Sequence, residues 1–332
     1  MNKKIVLTGI KPTGYIHLGN YVGAIKPALN LAQQDNLIPI YFIADYHALT
    51  SINNPSDYRR YIYSLAATWL SLGLNPDKVI FYKQSDLPEV FELTWILSCL
   101  TPKGLMNRAH AYKSKVDINI ERGLDIDNGI NMGLYTYPIL MAADILLFNA
   151  DIVPVGKDQV QHIEIARDIA LQFNKTYGEI FNIPNYSINE ETSVLPGIDG
   201  RKMSKSYNNT IPLFESPDKL KKQIFKIKTD SSLPGDPKDP DNSILFSIYK
   251  EFATQDQILE MEEKFRNGIG WGQVKQELFD VINNYLEEPR KKYMYYIERH
   301  ELIDSILKKG AEKARELSSP FLKKIRKAIG AE

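Results

Sequence analysis

The sequence predicts an α/β fold, a doubly wound parallel sheet with a C-terminal helical domain. Three observations carry this. Short apolar runs alternate with helical stretches through the first 190 residues, no strand signal of comparable strength follows, and a segment rich in Gly, Ser, Asn and Lys over 191–210 separates the two regimes. Apolar strands alternating with helices are the pattern of a parallel sheet covered on both faces.

Residues 5–8 read as a short buried strand and 9–14, with two glycines and Pro12, as a loop. Residues 18–34 read as a helix that Pro27 should kink. The run IPIYFIA at 38–44 is a second buried strand. Residues 55–74 form a helix with Asn54 as N-cap and Pro55 in the first position, where its missing N–H costs nothing. KVIFYK at 78–83 is a third strand, 88–100 a helix, DIVPV at 151–155 another strand and 158–173 a helix. This order is Rossmann-like. Beyond the loop, Ser216 and Pro217 open a helix to Lys228, with Leu220, Ile224 and Ile227 as its apolar stripe. Residues 231–242 are turn-rich, helices fill 243–307, and a basic helix covers 311–329.

Composition sets the class. Of 332 residues, 43% are hydrophobic and 25% charged, ordinary for a globular protein. The 41 basic and 41 acidic residues cancel, which argues against a chain built to coat nucleic acid. The balance is uneven: from Arg201 onward the net charge is +4, before it −4, so a polyanion would meet the C-terminal part. The single cysteine, Cys99 in WILSCL, excludes an intrachain disulfide and reads as a buried small hydrophobe. The N-terminus lacks the layout of a signal peptide, and no apolar run approaches the roughly 18 residues of a membrane span. The expected location is cytoplasmic, with no membrane partner.

Three constellations carry chemistry. The first, Gly9 to Asn20 (GIKPTGYIHLGN), joins the first strand to the first helix, where an open parallel sheet binds ligands and a helix N-terminus offers N–H groups to phosphate. Gly19 allows close approach; His17 and Lys11 add donors. The spacing is neither a P-loop nor GxGxxG, and a structural turn with an incidental histidine would look the same. The second, Lys202-Met203-Ser204-Lys205-Ser206, places two mobile point charges three residues apart, suited to charge developing on a phosphoryl group; a solvated basic loop has the same composition. The third, residues 135–148 (YTYPILMAADILLF), is apolar apart from Asp144. A carboxylate there must be capped, paired, or take a hydrogen bond from a ligand N–H. An indole N–H is donor only, so an acidic acceptor in an apolar slot would recognise it. Met141 shares the face of Asp144, and Tyr137 joins it if the helix continues through Pro138.

HLGN followed about 180 residues later by KMSKS resembles the paired motifs of class I aminoacyl-tRNA synthetases, with Asn20 at the fourth place of the first motif. The segment 135–148, with VPVGKDQVQH at 153–162, closely resembles tryptophanyl-tRNA synthetases. The resemblance implies ATP-dependent activation of L-tryptophan and transfer to tRNA(Trp), with Mg²⁺ accompanying ATP and a homodimer as the working form. It implies that His17, Asn20, Lys202, Ser204 and Lys205 act on the phosphates. It also implies that Lys11, Pro12, Thr13, Gly19, Gly156, Lys157, Asp158, Val194, Met203 and Ser206 join them around ATP. Asp144 would bind the indole nitrogen, Tyr137, Met141, His47 and Val153 would line the pocket, and Gln159 would hold the substrate's amino or carboxylate group.

The same resemblance divides the chain. A catalytic domain would span 1–200 with a returning helix at about 300–332, a KMSKS loop 193–206, and an anticodon-binding helical domain 207–299. Lys219, Lys221, Lys222, Lys226 and Lys228, and Lys323, Lys324, Arg326 and Lys327, are candidate phosphate contacts. Leu7, Lys11 and Lys157 depart from the family's usual aromatic, glutamine and acidic residues. The competing expectations are a tyrosyl-tRNA synthetase, which would need polar partners for a phenol, and a non-catalytic synthetase-like sensor or RNA-binding paralogue, which should have damaged motifs.

Overall fold

The computed structural model describes residues 3–156, 159–188 and 194–332. Among these, five parallel strands make one sheet in the order β3-β2-β1-β4-β5. They are β1 (Lys4–Ile10), β2 (Leu37–Ile43), β3 (Ile80–Lys83), β4 (Ile152–Val155) and β5 (Asn185–Ile188). Lys4 to Ile10 run in step with Leu37 to Ile43, while Val6 pairs with Ile152 on the other side. The chain thus winds outward from β1 to β3 and resumes beyond β1 at β4. The reversal between β1 and β4 is the switch point at which such sheets open a crevice.

Alternation along the strands sorts the core into two layers. Val6, Tyr41, Ile43 and Phe81 face one, shared with α4 (Pro55–Ser71) and the C-terminal helices. Leu7, Ile40, Phe42 and Tyr82 face the other, with α5 (Glu89–Ser98), α8 (Met132–Leu146) and α9 (Val160–Tyr177). The first layer runs on without a break into α10 (Pro217–Phe225), α11 (Ile244–Tyr249), α12 (Gln255–Arg266) and α13 (Trp271–Ile297). In α13 the fully buried Val274, Leu278, Ile282 and Leu286 recur every four residues, a continuous apolar stripe.

Several elements differ from the sequence reading. The expected helix 18–34 is α1 (Leu18–Asn20), a π turn Tyr21–Ile25 and α2 (Lys26–Leu31). Pro27 has no N–H to return to Gly23, and the widened turn, with Lys26 N–H on Tyr21 O, absorbs the mismatch in place of a sharp kink. The strand β5 was not anticipated; NYSI is largely polar and Tyr186 is exposed, as an edge position permits. The polar stretch 101–131 holds α6 (Lys103–Met106) and α7 (His110–Glu121), and α3 (Asp45–Ala48) follows β2. Cys99 is exposed, not buried. It caps α5 one helical turn after the exposed Trp95, on that helix's outer side.

The C-terminal helix is longer than the 311–329 read from the sequence pattern and corresponds to the returning helix that the resemblance implies at about 300–332. Residues 300–328 form one helix, α14 (His300–Ala328), continuous through Pro320. It runs along β3 and covers an otherwise open sheet edge. Contact is closest at Gly310, where an added Cβ would lie 1.8 Å from Phe81 O. Arg315 Nε bonds Glu89 at 2.9 Å, and Arg326 Nε bonds Glu92 at 2.7 Å. Arg326 is therefore committed to holding α14 against α5 and is not a free phosphate contact. Among the described residues no helix is long and apolar enough to cross a membrane.

Candidate active site

The chemistry-bearing side chains gather at the carboxyl ends of the strands. After β1 the backbone of His17 is extended, and the residue caps α1. Its Nδ1 accepts the Asn20 N–H at 3.2 Å, while Asn20 Oδ1 accepts the His17 N–H at 3.3 Å. With Nδ1 held as acceptor, the neutral ring carries its proton on Nε2. Burial, reinforced by the charge of Lys205, pushes the His17 pKa down to about 4, so near pH 7 the ring is a neutral donor. Pro12 is buried and Thr13 exposed. Lys11 Nζ donates to Thr50 Oγ1 at 2.8 Å, and Thr50 in turn to His47 O; burial lowers the Lys11 pKa.

The lysine loop lies against this turn although some 185 residues separate them. Leu18 N–H bonds Ile211 O and Leu213 N–H bonds Ile16 O, both at 2.9 Å. Gly19 N–H points at Met203 Sδ, 3.3 Å away. Gly14, at φ +132°, leaves room for Lys205: a Cβ there would be 3.0 Å from Nζ. Burial of that ammonium lowers its pKa. Lys202 is exposed, Met203 buried.

Asn209, which the sequence reading did not single out, holds the loop's shape. It is 1% exposed. Its Oδ1 accepts Ser204 N–H at 2.8 Å, and its Nδ2 donates to Asp199 Oδ1 at 2.7 Å and Lys202 O at 3.1 Å. Ser204 Oγ caps the 3₁₀ turn Lys205–Tyr207 through Ser206 N–H. The spacing of both lysines is thereby set by a buried amide.

The apolar slot is built on α8, which Asn131 caps and which does continue through Pro138. Tyr137, Met141 and Asp144 consequently share a face. Asp144 is 1% exposed. Its Oδ2 lies 2.9 Å from His47 Nε2, and Gln84 Nε2 reaches both carboxylate oxygens at 2.9 Å. Burial raises its pKa, and the bonds from His47 and Gln84 oppose the rise. Among the described residues the carboxylate is neither a helix cap nor a partner of Lys or Arg; its donors there are an imidazole and an amide. The Tyr137 hydroxyl bonds His162 Nε2. Val153 is buried in β4. Gly156 O accepts Gln159 N–H at 2.9 Å at the start of α9. Val194 is exposed, and Leu7 is buried in the core layer beneath the slot. Lys157 and Asp158 lie outside the described residues. Gln84 was also missed, though its place as the first residue after β3 is where the sheet presents ligands.

Comparison with known proteins agrees with this geometry. The family described as tRNA synthetases class I (W and Y) matches residues 1–287. A Tryptophan--tRNA ligase of Neisseria meningitidis is 51% identical over 99% of this chain and 98% of its own length. One from Pseudomonas putida is 52% identical over 98% of this chain and 73% of its own. A crystal structure of tryptophanyl-tRNA synthetase from Campylobacter jejuni, complexed with ADP and tryptophan, superposes with a TM-score of 0.89. It shares 46% identity and covers 98% of this chain and 99% of that one.

Proposed function

This chain belongs to the class I tRNA synthetases of the tryptophan and tyrosine branch, and from that premise we propose that it activates L-tryptophan with ATP and transfers it to tRNA(Trp). The observation that carries the reading is the meeting of the HLGN turn and the KMSKS loop, with Gly19 on Met203 and Lys205 over Gly14. In the first step the tryptophan carboxylate attacks the α-phosphorus of ATP and pyrophosphate leaves. The nucleophile is already ionised, so the protein needs no general base; it positions the reactants and stabilises charge. His17 donates from Nε2 to a phosphate oxygen, and Asn20 holds that ring in place. Lys202 and Lys205 meet the charge that accumulates on the leaving pyrophosphate. Mg²⁺ would accompany ATP as part of the substrate and would offset phosphate charge beside His17, Lys202 and Lys205. In the second step a hydroxyl of the tRNA's terminal adenosine takes the acyl group.

The backbone around Gly14, Gly19 and Gly156, with Lys11, Pro12, Thr13, Val194, Met203, Ser204 and Ser206, forms the ATP side. Asp144 accepts the indole N–H, with Tyr137, Met141, His47 and Val153 around the ring and Gln159 at the amino-acid end. Residues 207–299 bind the anticodon arm, with exposed lysines on α10 against phosphate. A homodimer is supported by Trp95 at 73%, Met132 at 70% and Ile120 at 59% exposure and by α7, of which only Asn119 is buried. Sedimentation giving a monomer at micromolar concentration would remove that part of the proposal. Amino-acid-dependent ATP–pyrophosphate exchange tests the whole: exchange with tyrosine but not tryptophan would overturn it.

A further inference from the structure

Gln84 directly follows β3, opens the 3₁₀ turn Gln84–Asp86 and is fully buried. A primary amide buried in this way must use both its ends. Its Oε1 accepts the Tyr46 N–H at 3.2 Å, and its Nε2 faces Asp144 Oδ1 and Oδ2 at 2.9 Å each. Tyr46 directly precedes His47, whose Nε2 bonds Asp144 Oδ2 at 2.9 Å. One amide therefore fixes the carboxylate and also the short helix α3 that carries the carboxylate's second donor.

We propose that Gln84 is a positioning residue for amino-acid selection, holding Asp144 in the orientation in which its remaining acceptor capacity meets the indole N–H. The inference rests on the reading of Asp144 as the indole acceptor. A carboxylate has about four acceptor sites. Gln84 and His47 occupy inner ones and leave Asp144 able to accept but not to swing. An amide suits the task because it stabilises an anion without cancelling its charge, as a buried Lys or Arg partner would. Without Gln84 the buried carboxylate has a single neutral-capable donor left, and either rotation or proton uptake spoils it as an acceptor. The sheet edge that bears Gln84 thus takes part in specificity without touching substrate.

The test compares L-tryptophan with β-(3-benzothienyl)alanine, which carries sulfur in place of the indole N–H. The ratio of their kcat/KM values in pyrophosphate exchange reports the N–H contact and cancels general damage to the protein. Gln84→Met keeps the side chain's volume and removes the donor. Gln84→Asn keeps an amide one methylene too short to span Tyr46 and Asp144, and carries the test if the first variant does not fold. Asp144→Asn runs in parallel. The expected result is a ratio lowered about tenfold or more in each Gln84 variant, the scale of a hydrogen bond to a charged group, with KM for ATP unchanged at saturating tryptophan. An unchanged ratio in both Gln84 variants, or equal losses for the two amino acids, overturns the role of Gln84 provided Asp144→Asn collapses the ratio. If Asp144→Asn itself leaves the ratio intact, the underlying reading of Asp144 falls instead.

Discussion

Replacing Asn209 by alanine should separate the conformation of the lysine loop from the stability of the protein. The buried amide bridges Ser204 N–H and Lys202 O, at 2.8 and 3.1 Å, and also reaches Asp199. The two shorter bonds to backbone are neutral, so each contributes about 1 kcal/mol net, while a third, to Arg201 O at 3.4 Å, is long and adds little. The bond to Asp199 is screened by solvent and adds little to the count. Losing about 2 kcal/mol shifts the balance between the clasped loop and open arrangements about 30-fold, because about 1.4 kcal/mol is a factor of ten. Under the proposed function Lys202 and Lys205 act together on the phosphates, and the clasped form is the one that sets their spacing. In pyrophosphate exchange, kcat/KM for ATP should fall about 10- to 30-fold in Asn209→Ala, while KM for tryptophan changes less than threefold. Because the clasp is local, the thermal midpoint should move by only a few degrees. A variant with normal kcat/KM for ATP, or one that loses tryptophan and ATP in equal measure, would refute the reasoning.

Other expectations follow from single contacts. Gly310→Ala places a methyl group 1.8 Å from Phe81 O, so α14 must leave β3. The cost is about 3 kcal/mol or more, read as a thermal midpoint lower by about 6 °C or more; an unshifted midpoint would show that the helix has room. Lys205→Ala should lower kcat about 10²- to 10³-fold, the scale of one oriented donor, while equilibrium dialysis shows tryptophan still bound. The His17 ring titrates near 4 in the folded chain and near 6.5 unfolded, so the unfolded state takes up the proton first. Its contribution to stability is therefore present above pH 6.5 and is lost as pH falls towards 4. An NMR titration of the His17 ring with a midpoint above 6 would contradict this.

The elements that could be read from sequence are those in which burial dictates composition. β2 lies inside the sheet and is buried along nearly its whole length, so every position of LIPIYFI is apolar, whereas in β1 only the central Val6 and Leu7 are buried and Lys4 and Thr8 interrupt the run. β5 lies at an edge and has no such run. The break read between 307 and 311 failed because Gly310, an ordinary helix breaker, sits inside α14 for a tertiary reason. At Gly310 the reason is the approach of β3. Cys99 was misplaced because WILSCL is apolar throughout, so the run does not mark which face of α5 meets the core. His17, Lys205 and Asp144 could be singled out as candidates only in combination, because alone each fits a structural turn, a solvated loop or a capped carboxylate, while together HLGN, KMSKS and the segment 135–148 carry the resemblance. Gln84 and Asn209 were not singled out, because an amide after a strand or in a polar loop is unremarkable until its partners, 60 and 10 residues away, are known.

The two parts of the proposed reaction rest on supports of different stiffness, and each suits its task. Discrimination between amino acids is a difference between two binding free energies, which depends on an acceptor that does not adapt to the wrong side chain. Asp144, as the proposed acceptor, would meet that requirement: it lies buried on α8 with His47, just beyond β2, and Gln84, just after β3, on its two oxygens. Leaving-group stabilisation is different, because only contacts stronger in the transition state than in the ground state accelerate the step. Lysines fixed as firmly as Asp144 would bind ATP and the transition state alike. Lys202 and Lys205 are instead carried by a loop tied to the HLGN turn by a thioether contact and backbone bonds, and under the proposed function these are the contacts that would adjust as charge moves onto the pyrophosphate. Stiffening this loop should thus tighten ATP binding without raising kcat, whereas loosening the surroundings of Asp144 should cost selectivity before it costs rate.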